Sequence, residues 1–202
     1  MEAFAVKSST NIKGKIVSAA WKLFYEQGYE HTTIEEILWE SGTSRGSFYH
    51  YFSGKDALLG SMAYLFDEKY EALSRELDPE QNAMDTLLFL THELFLMIEQ
   101  QVDFSLFARL YATQLTQNGE KQFLDKNRVY YKLLRSIIER GQSRGEITKE
   151  NSVRELVRIY ALCERGILYD WCLSGGEYSL AETGSSTMAI LMRGLIPQQP
   201  EA

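Results

Sequence analysis

Residues 33–52 constrain the fold more than any other stretch. Thr33 stands three residues before Glu36, the spacing at which two side chains satisfy each other's free backbone amides at a helix start. Ile34, Ile37 and Leu38 then recur at helical spacing, and Ser41-Gly42-Thr43 stops the run, with Gly42 free to take the left-handed conformation that ends helices. Ser44 is placed to cap a second helix. On that helix Phe48 and Phe52 fall one turn apart and point inward. Two helices this short are unstable alone, so they must pack on something, and Ile12, Ile16, Ala19, Ala20, Leu23 and Phe24 upstream supply an apolar helix face. The second helix keeps Arg45, Gly46, Ser47, Tyr49 and His50 outward. A helix-turn-helix lays such a face in the DNA major groove.

Ser44-Arg45-Gly46-Ser47-Phe48-Tyr49-His50-Tyr51-Phe52, continued by Ser53-Gly54-Lys55-Asp56-Ala57-Leu58-Leu59, resembles the DNA-binding signature of TetR-family transcriptional regulators. Ala19-Ala20-Trp21-Lys22-Leu23-Phe24 and Gly28-Tyr29 are similar to that family's first helix and exit turn. The resemblance covers roughly the first quarter of the chain. Leu38 and Thr43 depart from it, standing where the family commonly has alanine and valine. By resemblance, Tyr49 and Lys55 are expected on DNA phosphate, and Thr33, Ser44, Arg45, Gly46, Ser47 and His50 complete the expected DNA-binding set. Each also has a plainer reading: Thr33 as a cap alone, Tyr49 as a core residue, His50 as a solvated side chain. Trp39 packs on the first helix or lies along DNA, and the sequence does not choose between them.

Charge bears on this expectation. The chain carries a net charge of −7. Lys7, Lys13, Lys15, Lys22, Arg45 and Lys55 in residues 1–56 are offset by Glu2, Glu26, Glu30, Glu35, Glu36, Glu40 and Asp56. The basic footprint of a nucleic-acid-binding domain is missing, so contact with DNA must be local and sequence-dependent. A helical small-molecule-binding or protein-interaction module with little DNA affinity is the alternative.

The rest of the chain reads as helix. It holds only 3 prolines, and no stretch alternates with period two between turn signals. The expected architecture is all-α, about nine helices: a helix-turn-helix DNA-binding domain at 1–56 and a helical ligand-binding and dimerisation domain at 57–202. Helices are expected from Ser53 to Leu77, from Pro79 through Ile98, from Phe104 to Leu115, from Glu120 to Arg144, from Asn151 to Leu173, and from Ser179 to Leu195. The first residues lack a signal peptide's apolar core, and no segment approaches the ~18 apolar residues of a membrane span. A cytoplasmic protein with no membrane partner is therefore expected, with Cys163 and Cys172 as reduced thiols.

The resemblance implies a homodimer formed through the last two helices, and Ile167, Trp171, Met188, Leu191, Met192 and Leu195 are its expected interface. An effector pocket is expected among Phe66, Tyr70, His92, Phe107, Tyr111, Tyr131, Tyr160 and Glu164, because such sites are apolar with a few polar groups. His92 and Glu164 are the sharpest members, each interrupting an apolar face. Aromatic stripes at helical spacing also simply build cores. No cofactor or metal is expected. There is no nucleophile elbow, phosphate loop or paired-histidine motif, so the expected function is not an enzyme's. It is a ligand-responsive regulator, a repressor, that binds a palindromic double-stranded DNA operator and is released by a small apolar or amphipathic molecule.

Overall fold

A computed structural model describes residues 11–116 and 121–197, and no strand occurs among them. The helices are α1 (Ile12–Gln27), α2 (Ile34–Ser41), α3 (Arg45–Tyr51), α4 (Lys55–Leu59) and α5 (Met62–Glu76), followed by α6 (Ala83–Gln101) and α7 (Phe104–Thr116). A 3-10 turn at Gln122–Leu124 precedes α8 (Val129–Arg144) and α9 (Val153–Leu173); a π-wound turn at Leu180–Gly184 leads into α10 (Ser185–Met192). The chain divides into two compact units. One joins the residues up to Leu65 with Ser105–Phe123; the other joins Phe66–Phe104 with the residues from Leu124 onward.

In the first unit, Ile16, Ala20, Trp21 and Phe24 of α1 are buried with Ile37 of α2 and Phe48 of α3. The Trp21 Nε1 donates to Ser61 Oγ at 2.7 Å, and that hydroxyl donates to the Leu58 carbonyl. A buried indole thereby keeps a partner for its single N–H. The helix expected from Ser53 breaks here into α4 and α5. Gly60 sits at the break, and a Cβ there would meet the Gln122 side chain at 2.7 Å. Leu115, near the end of α7, is 72% exposed.

In the second unit, α6 starts later than the sequence implies. Asp78-Pro79 forms a turn in which Asp78 accepts from the Glu80 amide, and Asn82 caps the helix by accepting from Met84 and Asp85. α8 likewise starts at Val129 rather than near Glu120, because Asp125 bonds the Asn127 amide and turns the chain. Gly145, at φ 74°, ends it in the left-handed conformation. Ser152 and Glu155 form a reciprocal cap on α9. Ser179 accepts from the Glu182 amide as expected, but the turn that follows is π-wound before α10 begins.

One ion pair is buried in this unit. Asp67 of α5 takes two bonds from the Arg128 guanidinium, each at 3.0 Å, and accepts the Tyr130 amide at 3.2 Å. Asp67→Ala would strip a buried guanidinium of its carboxylate, which costs about 3–5 kcal/mol. The urea midpoint should fall accordingly, and adding Arg128→Met should recover much of the loss. Equal midpoints for Asp67→Ala and the native chain would show that the pair is not structural.

Candidate nucleic-acid interface and effector site

The helix-turn-helix is built by its caps. The Thr33 Oγ1 accepts from the Glu36 amide while Glu36 accepts from the Thr33 amide at 2.7 Å, and these bonds hold the Glu36 carboxyl below its usual range. Gly42, at φ 63° and ψ 31°, turns the chain out of α2. Ser44 accepts from the Ser47 amide and starts α3. Phe48 is buried, which fixes the rotation of α3 and leaves Arg45, Gly46, Tyr49 and His50 exposed, with Ser47 half-buried. Thr33, Ser44, Arg45, Gly46, Ser47, Tyr49 and His50 thus all lie on α3 or at the two helix starts of the motif. A Cβ on Gly46 would approach nothing closer than 3.9 Å, so the protein itself does not require glycine there. Trp39 of α2 is 84% exposed and packs on no core.

Two cations of this surface are already engaged. The Arg45 guanidinium donates to Glu35 at 2.5 Å, a pair with both side chains well exposed. The Lys55 ammonium donates to the carbonyls of Tyr29 and Thr32 at 2.6 and 2.8 Å and lies 4.2 Å from the Tyr29 ring centre; burial lowers its pKa. Lys55 therefore fastens the corner between α1 and α2. On the same corner, Arg109 of α7 stacks 4.7 Å from the Tyr29 ring centre and pairs with Glu30, while the Tyr29 hydroxyl donates to Asp56. Arg109 lies 80 residues downstream of Tyr29 in sequence, and no local pattern marks it.

The candidate effector residues fall into both units. Phe107 and Tyr111 belong to the first, where their rings lie 5.2 Å apart and Tyr111 packs on Phe123 at 5.3 Å. Phe66, Tyr70, His92, Tyr131, Tyr160 and Glu164 belong to the second. There Tyr70, Tyr130, Tyr160 and Glu164 form a buried polar cluster. The Tyr160 hydroxyl donates to the Leu87 carbonyl at 2.7 Å, and the Thr91 hydroxyl contacts both Tyr160 and, at 3.4 Å, Glu164. The Tyr70 and Tyr130 rings lie 5.1 Å apart; the Tyr70 hydroxyl has no hydrogen-bond partner among the described residues, while the Tyr130 hydroxyl lies against Glu164. Tyr130 is close enough to Glu164 to influence its ionisation. Glu164 is 4% exposed; burial raises its pKa to about 7, against smaller lowering effects from Tyr130, Thr91, Arg165 and Arg128. Burial likewise drives the three tyrosines well above their usual range. A nearly neutral carboxyl near the unpartnered Tyr70 hydroxyl can both donate and accept, which suits a polar group on a ligand. His92 is half-buried and tied to the chain leading into α10, its Nδ1 lying 3.2 Å from the Ala181 carbonyl and 3.4 Å from Ser185 Oγ.

The model of bacterial regulatory proteins of the tetR family matches residues 16–62, and that of the YsiA-like protein C-terminal region matches residues 65–194. This chain belongs to the TetR family. HbdR, an HTH-type transcriptional regulator from Aromatoleum, is 27% identical over 193 residues, covering 88% of this chain and 78% of its own. YvdT of Bacillus subtilis, of the same type, is 27% identical over 136 residues, 67% of this chain and 69% of its own. In fold, the Thermus thermophilus repressor FadR, solved with lauroyl-CoA, aligns with a TM-score of 0.71 at 20% identity, over 95% of this chain and 99% of its own. As a TetR-family member with a helix-turn-helix unit and a helical effector unit, the chain is a ligand-responsive transcriptional regulator.

The candidate dimer residues differ in exposure within the single chain. Ile167, Trp171, Met188, Met192 and Leu195 are buried within the protomer, and only Leu191 is exposed. The Trp171 Nε1 donates to the Tyr178 carbonyl at 3.0 Å and its ring meets Phe104 edge-on, both core contacts. The exposed apolar residues of α9 are instead Ile159, Leu162, Tyr169 and Leu173, with Ile190 and Leu191 on α10. Cys163 and Cys172 are free thiols, and burial pushes Cys172 up to about 11, where it is a poor nucleophile. No helix among the described residues is long and apolar enough to cross a membrane.

Two outcomes are expected from this TetR-family geometry. Arg45→Ala should weaken operator binding by about 1–3 kcal/mol in anisotropy titrations and relax preference at one base pair; unchanged affinity would remove Arg45 from DNA contact. Glu164 titrates at about 7 when folded and near the ordinary carboxyl value of 4.5 when unfolded. The unfolded chain loses this proton first, so the contribution to stability is greatest below pH 4.5 and declines as pH rises through about 7. Chemical denaturation at pH 5 and pH 8 should show a smaller decline for Glu164→Gln than for the native chain, and equal declines would contradict the assignment.

Proposed function

We propose that the chain is a cytoplasmic repressor that binds a palindromic operator as a homodimer and lets go when a small amphipathic molecule enters the second unit. In this reading residues 1–56 hold the DNA-binding domain and 57–202 the effector and dimerisation domain. Thr33, Ser44, Arg45, Gly46, Ser47, Tyr49 and His50 face DNA, while Lys55 positions the motif from beneath. The observation that carries the DNA reading is the capped, core-anchored α3, whose polar residues all project from the buried Phe48.

For the effector, the support is the buried cluster of Tyr70, Tyr130, Tyr160 and Glu164, which combines aromatic surface with an unpartnered Tyr70 hydroxyl and a carboxyl raised to about 7. The fold neighbour's acyl-CoA is a chemical model for such a molecule. Release follows by linkage: the effector must prefer a conformation that the operator disfavours, and each then weakens the other's binding by the same factor.

For the dimer, the support is a stripe. Ile159, Leu162, Gly166, Tyr169 and Leu173 follow one another at alternating steps of three and four, the spacing of a coiled-coil seam, and all are exposed. Leu162 and Leu173 are 60% and 69% exposed. A contiguous apolar seam of this kind marks an interface rather than a solvated face. Two copies would set two α3 helices roughly 34–36 Å apart, one turn of DNA.

The test combines both parts. Anisotropy on DNA upstream of the gene should show tight, competitor-resistant binding whose log affinity falls linearly with log salt. Leu162→Asp with Leu173→Asp should give a monomer by sedimentation and lose operator binding by about a hundredfold or more, since half-site binding forfeits the linked second site. A dimer persisting in that variant would move the interface elsewhere, and wild-type binding no better than to random DNA would overturn the repressor reading for this promoter.

A further inference from the structure

Trp39 of α2 is more exposed than any other large apolar side chain among the described residues. Of the chain's 3 tryptophans, Trp21 and Trp171 are buried at 1% and 5% exposure. The Trp39 indole N–H has no hydrogen-bond partner among the described residues. A lone exposed apolar side chain is ordinary on a protein surface, so exposure alone assigns nothing. Position does.

Ile37 is the buried residue of α2. At roughly 100° per residue, Glu35 and Trp39 each stand about 160° from it, on the opposite face of the helix. Glu35 holds Arg45, the first residue of α3, at 2.5 Å. Trp39 therefore shares its face with the pair that opens the recognition helix, one turn or ~6 Å further along α2. In a helix-turn-helix the second helix enters the major groove while the first crosses the DNA backbone. The face of α2 that reaches the start of α3 is the one that meets a phosphate strand.

The acids of α2 do not oppose that approach. Glu35 is paired with Arg45, and Glu40 with Lys22 at 2.7 Å. Glu36 accepts from the Thr33 amide at 2.7 Å and from Gln27 at 3.2 Å. A surface with few cations to offer phosphate must draw part of its affinity from contacts that carry no charge. An indole supplies ring area for packing and a single N–H for an acceptor such as a phosphate oxygen. Packing acts only at contact, so this gain belongs to the complex in which α3 is seated and not to a loosely held one.

We propose that Trp39 is a DNA backbone contact, its ring packed on the sugars at the edge of the major groove and its Nε1–H donating to a phosphate oxygen. The inference rests on the reading of α3 as the recognition helix, and it adds the outer face of α2 to that surface.

The probe is the duplex that the intact native protein enriches from a random pool. Acrylamide quenches exposed indoles and spares buried ones, so quenching of the native chain reports Trp39 above Trp21 and Trp171. Saturating duplex should lower native quenching to the level of Trp39→Phe. Trp39→Ala should keep its urea midpoint and bind the duplex roughly tenfold more weakly, about 1.4 kcal/mol. The slope of log affinity against log salt should not change, because no cation is removed from phosphate. Trp39→Phe should recover part of the loss, since it keeps the packing and lacks only the N–H. Unchanged quenching on saturating duplex, or equal affinity of native and Trp39→Ala, would overturn the contact and leave the indole for a protein partner. An altered base preference in Trp39→Ala would place the ring on base edges and overturn the backbone assignment. Should no duplex be enriched, the DNA reading of α3 falls, and this contact with it.

Discussion

The interior of the second unit depends on Asp67 and Arg128. A charge inside a helical core is tolerable only when compensated and fully hydrogen-bonded, and this pair meets both conditions with two guanidinium bonds and a backbone amide. It ties the start of α8 to α5 and brings Tyr130 beside Tyr70. Arg128 also adds a positive charge near Glu164, opposing the burial that raises that carboxyl. The unpartnered Tyr70 hydroxyl, the near-neutral glutamate and the Tyr70–Tyr130 contact are therefore arranged around one anchored cation. Removing that anchor would disturb the chemistry of the whole cluster, not just one contact.

The helix-turn-helix unit solves a different problem with few cations. Its residues carry no surplus of positive charge, and the two cations nearest the motif are engaged before DNA arrives. Lys55 spends its donors on the carbonyls of Tyr29 and Thr32, and Arg45 rests on Glu35. An exposed pair such as Arg45 with Glu35 is worth about 0–1 kcal/mol, so an operator can displace it at small cost. Binding to arbitrary DNA gains little from this surface, which places the weight on matching base edges and leaves the acidic composition compatible with a specific regulator.

What the sequence made legible was local. Thr33 with Glu36, Gly42, Ser44 and the Phe48–Phe52 step each act within a few residues, and each behaves in the fold as its spacing implies. Contacts across long separations were not legible: Asp67 with Arg128, Arg109 on Tyr29, and the break at Gly60 against Gln122 have no local signature. The last two helices show a third limit. α9 is apolar on two faces, Ile167 and Trp171 on one, Leu162 and Leu173 on another, and periodicity finds both without saying which faces inward. The candidate effector residues show the same limit, since an aromatic at helical spacing looks alike whether it packs in α7 with Phe123 or in the polar cluster with Glu164.

The exposed seam on α9 has a consequence for the cell as well as for the molecule. In the proposed dimer, covering Leu162, Tyr169 and Leu173 is part of what makes the folded state favourable, so each protomer's stability is tied by mass action to the number of its partners. A regulator made in few copies would lie nearer the point at which such a pairing comes apart. Scarcity would then thin the pool of intact molecules faster than it lowers synthesis. Abundance itself would become an input to the switch, alongside the effector.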